Sequence, residues 1–330
     1  MKLQKKYLLM ALLTFIAGFF ADKIAGSYFS KKPEQLSLIP VRQEGFKYIS
    51  PLLYCDSTQQ SKIPSLDKLH AELERFIEES TQQQKSQLVS VYMRIPATGE
   101  WIAINEEEKY TPASLLKLPI LIAYYKAAEK NQNALSQVIT YNGDTINTNQ
   151  NIEPGEVLTK GETYTADQLL THMITYSDNA SEETLLNNIS QQEFDRVFSE
   201  VNIGHLDYSK IENFMDVVKY ATFFRALYNA SYLNRDMSER ALSLLTKVQF
   251  KDGITAGIPK NIPVAHKFGE RAYDNSNLKQ LHDCGIVYYP KNPYLLCVMT
   301  KGYSFDDLST IIKTISSKTY EAVKGLEPQG

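Results

Sequence analysis

A chain of 330 residues with 43% hydrophobic and 22% charged side chains has the composition of a globular protein and the length for one large domain or two lobes, which excludes a disordered chain. Its 35 basic and 38 acidic residues leave a net charge of -3, without the concentrated positive surface that a nucleic-acid partner requires. Three cysteines, Cys55, Cys284 and Cys297, cannot build a disulfide framework and lack the close paired spacing of a zinc site, so no metal is expected.

Lys2, Lys5 and Lys6 precede an apolar run from Tyr7 to Phe20 that then meets Asp22 and Lys23. A basic start followed by an apolar stretch reads as an export signal. The run is shorter than the roughly 20 residues of a comfortable membrane span. Ala25-Gly26-Ser27 offers a cleavage site, but the two charges just before it favour an uncleaved anchor over 1–29, with the remainder outside the cytoplasm, or secreted if cleavage occurs. No cysteine near the end of the run suggests a lipid anchor.

Residues 30–64 carry Pro33, Pro40, Pro51 and Pro64 among scattered polar side chains, the pattern of a linker or docked arm, with the apolar patch 49–55 lying on the folded part. The domain proper is expected over 65–325. Ser65 is expected to cap a helix running to about Gln84, because Leu66, Leu69, Leu73, Phe76 and Ile77 recur at helical spacing. Two strand-like runs, 88–95 and 101–104, flank Pro96-Ala97-Thr98-Gly99 and read as a hairpin. A buried helix is expected over 120–130, with Pro119 in its first turns, where a missing backbone N–H is least costly. The polar stretch that follows yields only a turn at Asn142-Gly143.

Further helices are expected at 165–175, 180–188, 191–201, 213–228 and 238–246, the last capped by Ser238. Residues 264–267, 281–289 and 294–300 are strand-like, and 305–323 closes the chain as a helix. Cys284 and Cys297 fall on two arms of a hairpin; a bridge is conceivable, but two buried packing thiols are the expected state. Strands first and last with helices between, and no βαβ alternation, give an α/β (α+β) fold: an antiparallel sheet built from both chain ends, packed helices, and an inserted all-helical lobe.

Ser114 and Lys117 lie one helical turn apart and face the same way. A serine hydroxyl is a poor nucleophile until a neighbour takes its proton, and a lysine desolvated against Leu115, Leu116 and Leu118 is suited to that task. Alone the pattern is common, and its plain reading is a helix-start serine with a solvated lysine. Ser177-Asp178-Asn179 ends one helix and by itself is a capping turn. Lys267-Phe268-Gly269 ends a strand, where a lysine is ordinarily exposed, and His266 reads as a packed strand histidine.

In this order the three motifs resemble the Ser-x-x-Lys, Ser-Asp-Asn and Lys-Thr-Gly set of class A β-lactamases and penicillin-binding serine hydrolases, over about 65–325. The resemblance implies an exported serine hydrolase that forms an acyl-enzyme on Ser114 with β-lactams or related amides and uses no cofactor. It assigns Lys117 as base or relay, Ser177 as proton donor to the leaving nitrogen, and Asn179 as holder of Lys117 and donor to the substrate amide. Lys267 would attract a substrate carboxylate, and the backbone N–H groups of Ser114 and Glu270, the latter just after Gly269, would form the oxyanion hole.

Two departures qualify it. Phe268 replaces the usual Thr or Ser, removing a hydroxyl and adding bulk beside the nucleophile. Between Val201 and Asn213, where class A enzymes carry the glutamate that activates the deacylating water, only Asp207 and Glu212 are carboxylates. Acyl-enzyme formation with slowed hydrolysis is therefore expected. The alternatives are a D,D-peptidase-like penicillin-binding protein that releases slowly, or an inactive relative that binds cell-wall peptides.

Overall fold

The computed structural model describes residues 39–42, 45–56, 66–142, 157–204, 212–273, 275–290 and 292–326. The anchor expected over 1–29 lies outside them, as do Ser65 and Gly143. By its contacts the chain divides into one unit of 1–39 with 56–61 and another of 40–55 with 62–330, and the second holds the main sheet and the described helices. Among the described residues no helix is long and apolar enough to cross a membrane.

Strands β1 (Ile39–Arg42) and β2 (Leu52–Asp56) form a two-stranded sheet. Between them the chain lies on the domain: the backbone N–H groups of Lys47, Tyr48 and Ile49 all donate to the Glu239 carboxylate, and Ser50 N donates to Tyr228 O at 2.7 Å. Helix α1 (Asp67–Gln82) begins after Leu66, which provides no side-chain cap, so the expected cap at Ser65 is not the one described. Its Leu69, Leu73 and Ile77 are buried, as the stripe requires.

The hairpin of β3 (Leu88–Arg94) and β4 (Trp101–Ile104) closes between Arg94 and Trp101, and Gly99 supplies the positive φ of +81 that its turn needs. A short pair, β5 (Val138–Thr140) with β6 (Thr163–Thr165), has no counterpart in the sequence reading. Three residues per strand are too few to show an alternation. Strands β7 (Val264–Ala272), β8 (Lys279–Val287) and β9 (Tyr294–Gly302) complete an antiparallel sheet of order β4-β3-β9-β8-β7. The last hairpin thus inserts next to β3, and the sheet is built from both chain ends. In register, Cys284 stands opposite Cys297, and the two form a disulfide. This corrects the expectation of free packing thiols: facing positions on neighbouring strands bring the sulfurs within bonding reach, which the hairpin alone did not decide.

Between the strands run α2 (Lys117–Lys130), α3 (Ala166–Thr175), α4 (Asn179–Leu186), α5 (Gln191–Glu200), α6 (Val217–Tyr228) and α7 (Arg235–Leu245), and α8 (Phe305–Gly325) follows them. Local chemistry explains the starts. Thr165 and Ser190 form capping boxes with Gln168 and Glu193, while Asp178, Asp216, Asn234 and Ser304 cap through one side chain. Asn234 replaces Ser238, which lies buried inside α7.

Helix α8 packs on β8 and β9, and α6 packs on β3, β8 and β9. The near-continuous burial along β8 and β9 follows, since both faces are covered. Helix α2 is buried around most of its circumference, with Leu118, Ile120, Leu121 and Ile122 in its first turns. Each such side chain contributes about 1.5–3 kcal/mol of burial, so the helix that carries the site is also a core element.

Candidate active site

The first motif sits on a tight junction. Residues Ala113–Leu116 form a 3-10 turn that runs into α2 at Lys117, and Ala113 holds a positive φ of +50 just before Ser114. A left-handed alanine costs about 1–3 kcal/mol and persists only where its surroundings enforce it. Here they do. Tyr220 Oη donates to Leu115 O at 3.0 Å, Tyr110 pairs with Met215, and Thr111 N donates to Gln280 Oε1 at 3.0 Å. His282 Nε2 lies 3.1 Å from Thr111 O, while its Nδ1 accepts from Thr300 N at 3.3 Å. Those two bonds require a neutral ring protonated at Nε2, and burial pushes the His282 pKa down to about 4.

Lys117 is 0% exposed. Its Nζ contacts Ser114 Oγ at 2.9 Å, Ser177 O at 2.8 Å, Ser177 Oγ at 3.1 Å and Asn179 Oδ1 at 2.6 Å. Glu182 Oε2 lies 3.2 Å away as an ion pair. Burial pushes the Lys117 pKa below that of an ordinary lysine, and the Glu182 charge opposes the fall. Ser114 itself is half-buried.

The second motif is presented by the turn between α3 and α4. Ser177 also adopts a positive φ, +58, and Asp178 turns its carboxylate back onto Ala180 N, Ser181 N and the Ser181 hydroxyl, with Tyr141 Oη at 3.2 Å. The plain capping role is therefore real for Asp178, and it leaves Ser177 and Asn179 pointing at Lys117.

The third motif lies on the edge strand β7. Lys267 is 0% exposed, with Nζ 3.0 Å from Ser177 Oγ and 2.9 Å from Phe268 O, and it stands 4.1 Å from the Phe268 ring centroid. Burial drives its pKa well down, and the nearby Lys117 charge adds to the fall. The plain reading of Lys267 as an ordinary exposed strand lysine does not hold. A side chain on Gly269 would meet Pro112 O at 2.6 Å and Leu115 Cγ at 3.0 Å, so glycine is what lets the strand lie against the nucleophile's turn. Glu270 follows, half-exposed, and its charge acts on both lysines. Phe268 departs from the expectation of bulk standing beside the nucleophile. Its ring is 1% exposed and stacked on Phe250 at 4.3 Å, so the bulk is absorbed by the interior and under Lys267.

The structure thus gathers Ser114, Lys117, Ser177, Asn179 and Lys267 in one hydrogen-bonded cluster, with Gly269 packed against it. His266 stands apart, buried and 2.8 Å from Asp283, whose other oxygen accepts from Ile254 N. Glu212 is exposed and lies 3.6 Å from Arg271; Asp207 lies outside the described residues. Glu182 was missed by the sequence reading. Its signal was available, because it follows Asn179 by three residues in a helix and so shares its face. Among the described residues no group of three or more His, Cys, Asp or Glu side chains is placed to hold a metal ion.

Comparison with known proteins places this geometry in context. The model of the Beta-lactamase enzyme family matches residues 69–323. No curated protein matches the chain by sequence. Among solved structures, PBP-A superposes with a TM-score of 0.65 at 20% identity, covering 80% of this chain and 100% of PBP-A. A β-lactamase from Sphaerobacter thermophilus gives 0.66 at 18% identity, covering 80% and 100%. A class A β-lactamase representative from Bacteroides cellulosilyticus gives 0.67 at 16% identity, covering 78% and 99%. At such identities the likeness concerns the fold.

Proposed function

The chain belongs to the Beta-lactamase enzyme family, and from that premise we propose that it is an exported serine hydrolase that forms an acyl-enzyme on Ser114 with β-lactams or related amides. The observation that carries the reading is the convergence on one buried amine: Lys117 Nζ lies 2.9 Å from Ser114 Oγ and within 3.1 Å of Ser177 Oγ and Asn179 Oδ1. A nucleophile, a base within hydrogen-bond reach and groups that orient the base are what acyl transfer needs.

In this reading Ser114 Oγ attacks the substrate carbonyl while Lys117 takes its proton. The oxyanion develops against the N–H groups of Ser114 and Glu270. Ser177, bridging the two lysines, hands a proton to the leaving nitrogen as the amide C–N bond breaks, and Lys267 holds a substrate carboxylate by its charge. The disulfide between Cys284 and Cys297 supports export, because such bonds persist in oxidising compartments. Anchoring at the membrane rests on the basic and apolar residues of 1–29 alone.

A second reading, a D,D-peptidase-like protein that acylates readily and releases slowly, draws on the exposed position of Glu212 and its pairing with Arg271, away from water-activating duty. The L158E mutant of PBP-A has been captured as an acyl-enzyme complex with penicillin G, so acylation by a β-lactam occurs on this fold. One experiment separates these readings. The protein is mixed with a chromogenic β-lactam, colour is followed, and intact mass is recorded beside that of Ser114→Ala. Turnover supports the β-lactamase; a persistent mass increase on Ser114 without turnover supports the slow releaser. No mass increase and no colour, with binding retained in both proteins, would sink acylation and leave the peptide-binding relative.

A further inference from the structure

Glu182 belongs to none of the three motifs, yet α4 brings its carboxylate to 3.2 Å from Lys117 Nζ. Ser177 O and Asn179 Oδ1 can only accept hydrogen bonds, as does Glu182 Oε2 in the carboxylate form, and all three surround that nitrogen at 2.8, 2.6 and 3.2 Å. With Glu182 ionised, three acceptors require three N–H donors, so the resting Lys117 is an ammonium. An ammonium has no lone pair with which to take the Ser114 proton. A proton must first leave Lys117, and burial makes that departure easier than it is for a lysine in water.

The surrounding groups narrow the destination. Ser177 O and Asn179 Oδ1 are amide oxygens and very weak bases. Asp178, at the head of α4, has its carboxylate engaged by Ala180 N, Ser181 and Tyr141. From β7, Lys267 is itself a donor to Ser177 Oγ and Phe268 O, and Glu270 acts on Lys117 by its charge. Glu182 is the carboxylate in contact. It is also only 22% exposed, which keeps the pair poorly screened.

Resting on the serine-hydrolase reading, we propose that Glu182 is the proton acceptor for Lys117: the ammonium passes one proton to the Glu182 carboxylate, and the freed amine takes the Ser114 proton as Oγ bonds to the substrate carbonyl carbon. When the C–N bond breaks, Lys117 supplies a proton through Ser177 to the leaving nitrogen, and the proton held on Glu182 returns to Lys117. The net change is one O–H and one C–N bond exchanged for an ester and an N–H bond. Glu182 acts through Lys117 and need not touch substrate.

The test is single-turnover acylation of the full chain by a chromogenic β-lactam, with intact mass as the readout from pH 4.5 to 9, for wild type, Glu182→Gln and Glu182→Asp. The expected result is that Gln slows acylation about 10²-fold near neutrality and abolishes the acidic limb of the rate profile, while Asp retains the limb and recovers part of the rate. Unfolding midpoints confirm that each variant is folded. If the wild type is acylated and Glu182→Gln matches it in rate with the acidic limb intact, the proposal is overturned while the hydrolase reading stands. A wild type that neither gains mass nor releases colour overturns the hydrolase reading, and the pair is then judged by nitrogen NMR. A Lys117 titration that drops in Glu182→Gln upholds the proton coupling; an unmoved one ends it.

Discussion

The helix side of the site and its strand side both present a fully buried lysine to the same hydroxyl, Ser177 Oγ, at 3.1 and 3.0 Å, yet they hold those lysines differently. On the helix side Lys117 is surrounded by the Ser114 hydroxyl, an amide oxygen, a backbone carbonyl and a carboxylate within 3.2 Å. On the strand side Lys267 has a backbone carbonyl, the face of Phe268 and the repulsion of Lys117. In the proposed reading, the lysine beside a carboxylate has somewhere to send its proton, and the one beside a ring and a like charge is poised for an incoming anion. Burial is common to both, and the neighbours divide the labour.

The comparison breaks hardest at Lys117. Lys117→Met removes the proposed base and is expected to slow acylation of Ser114 by about 10²–10⁴-fold with little change in half-saturating substrate, measured by stopped-flow with a chromogenic β-lactam. Loss in half-saturation alone would mean that the helix side binds rather than reacts.

His282 on β8 sharpens the contrast through stability. Its folded value of about 4 lies below the ordinary 6.5, so the unfolded chain takes up a proton first as pH falls. The stability it contributes is complete above pH 6.5 and is lost progressively as pH falls towards 4, about 2–3 kcal/mol by pH 4.5. His282→Gln keeps an N–H for Thr111 O and removes the titration. The difference in unfolding free energy between pH 7 and pH 4.5, from urea melts, should shrink by that amount relative to wild type.

The smallest change is expected at Lys267. Lys267→Met should reduce the second-order acylation constant about 10–100-fold, the worth of one charge-assisted hydrogen bond, by raising half-saturation and leaving the maximal rate nearly intact. A collapse of the maximal rate would place Lys267 in the proton relay and erase the division between the two sides.

Much of this was open to reading in the chain alone. Thr165 three residues before Gln168, and Ser190 before Glu193, mark helix starts by local hydrogen bonding, and the β3–β4 hairpin follows from alternation around Pro96 and Gly99. Ser114 and Lys117 faced one way by helical spacing before any partner was in view. These are properties of near neighbours, and near neighbours are what a sequence displays. The facing of Cys284 and Cys297, the stacking of Phe268 on Phe250 and the burial of Lys267 depend on strand register and on helices dozens of residues away. Glu182 is the sharpest case: its helical face was legible, but that Lys117 waits 3.2 Å beyond it is a distance across 65 positions of sequence, decided only when α2 and α4 pack.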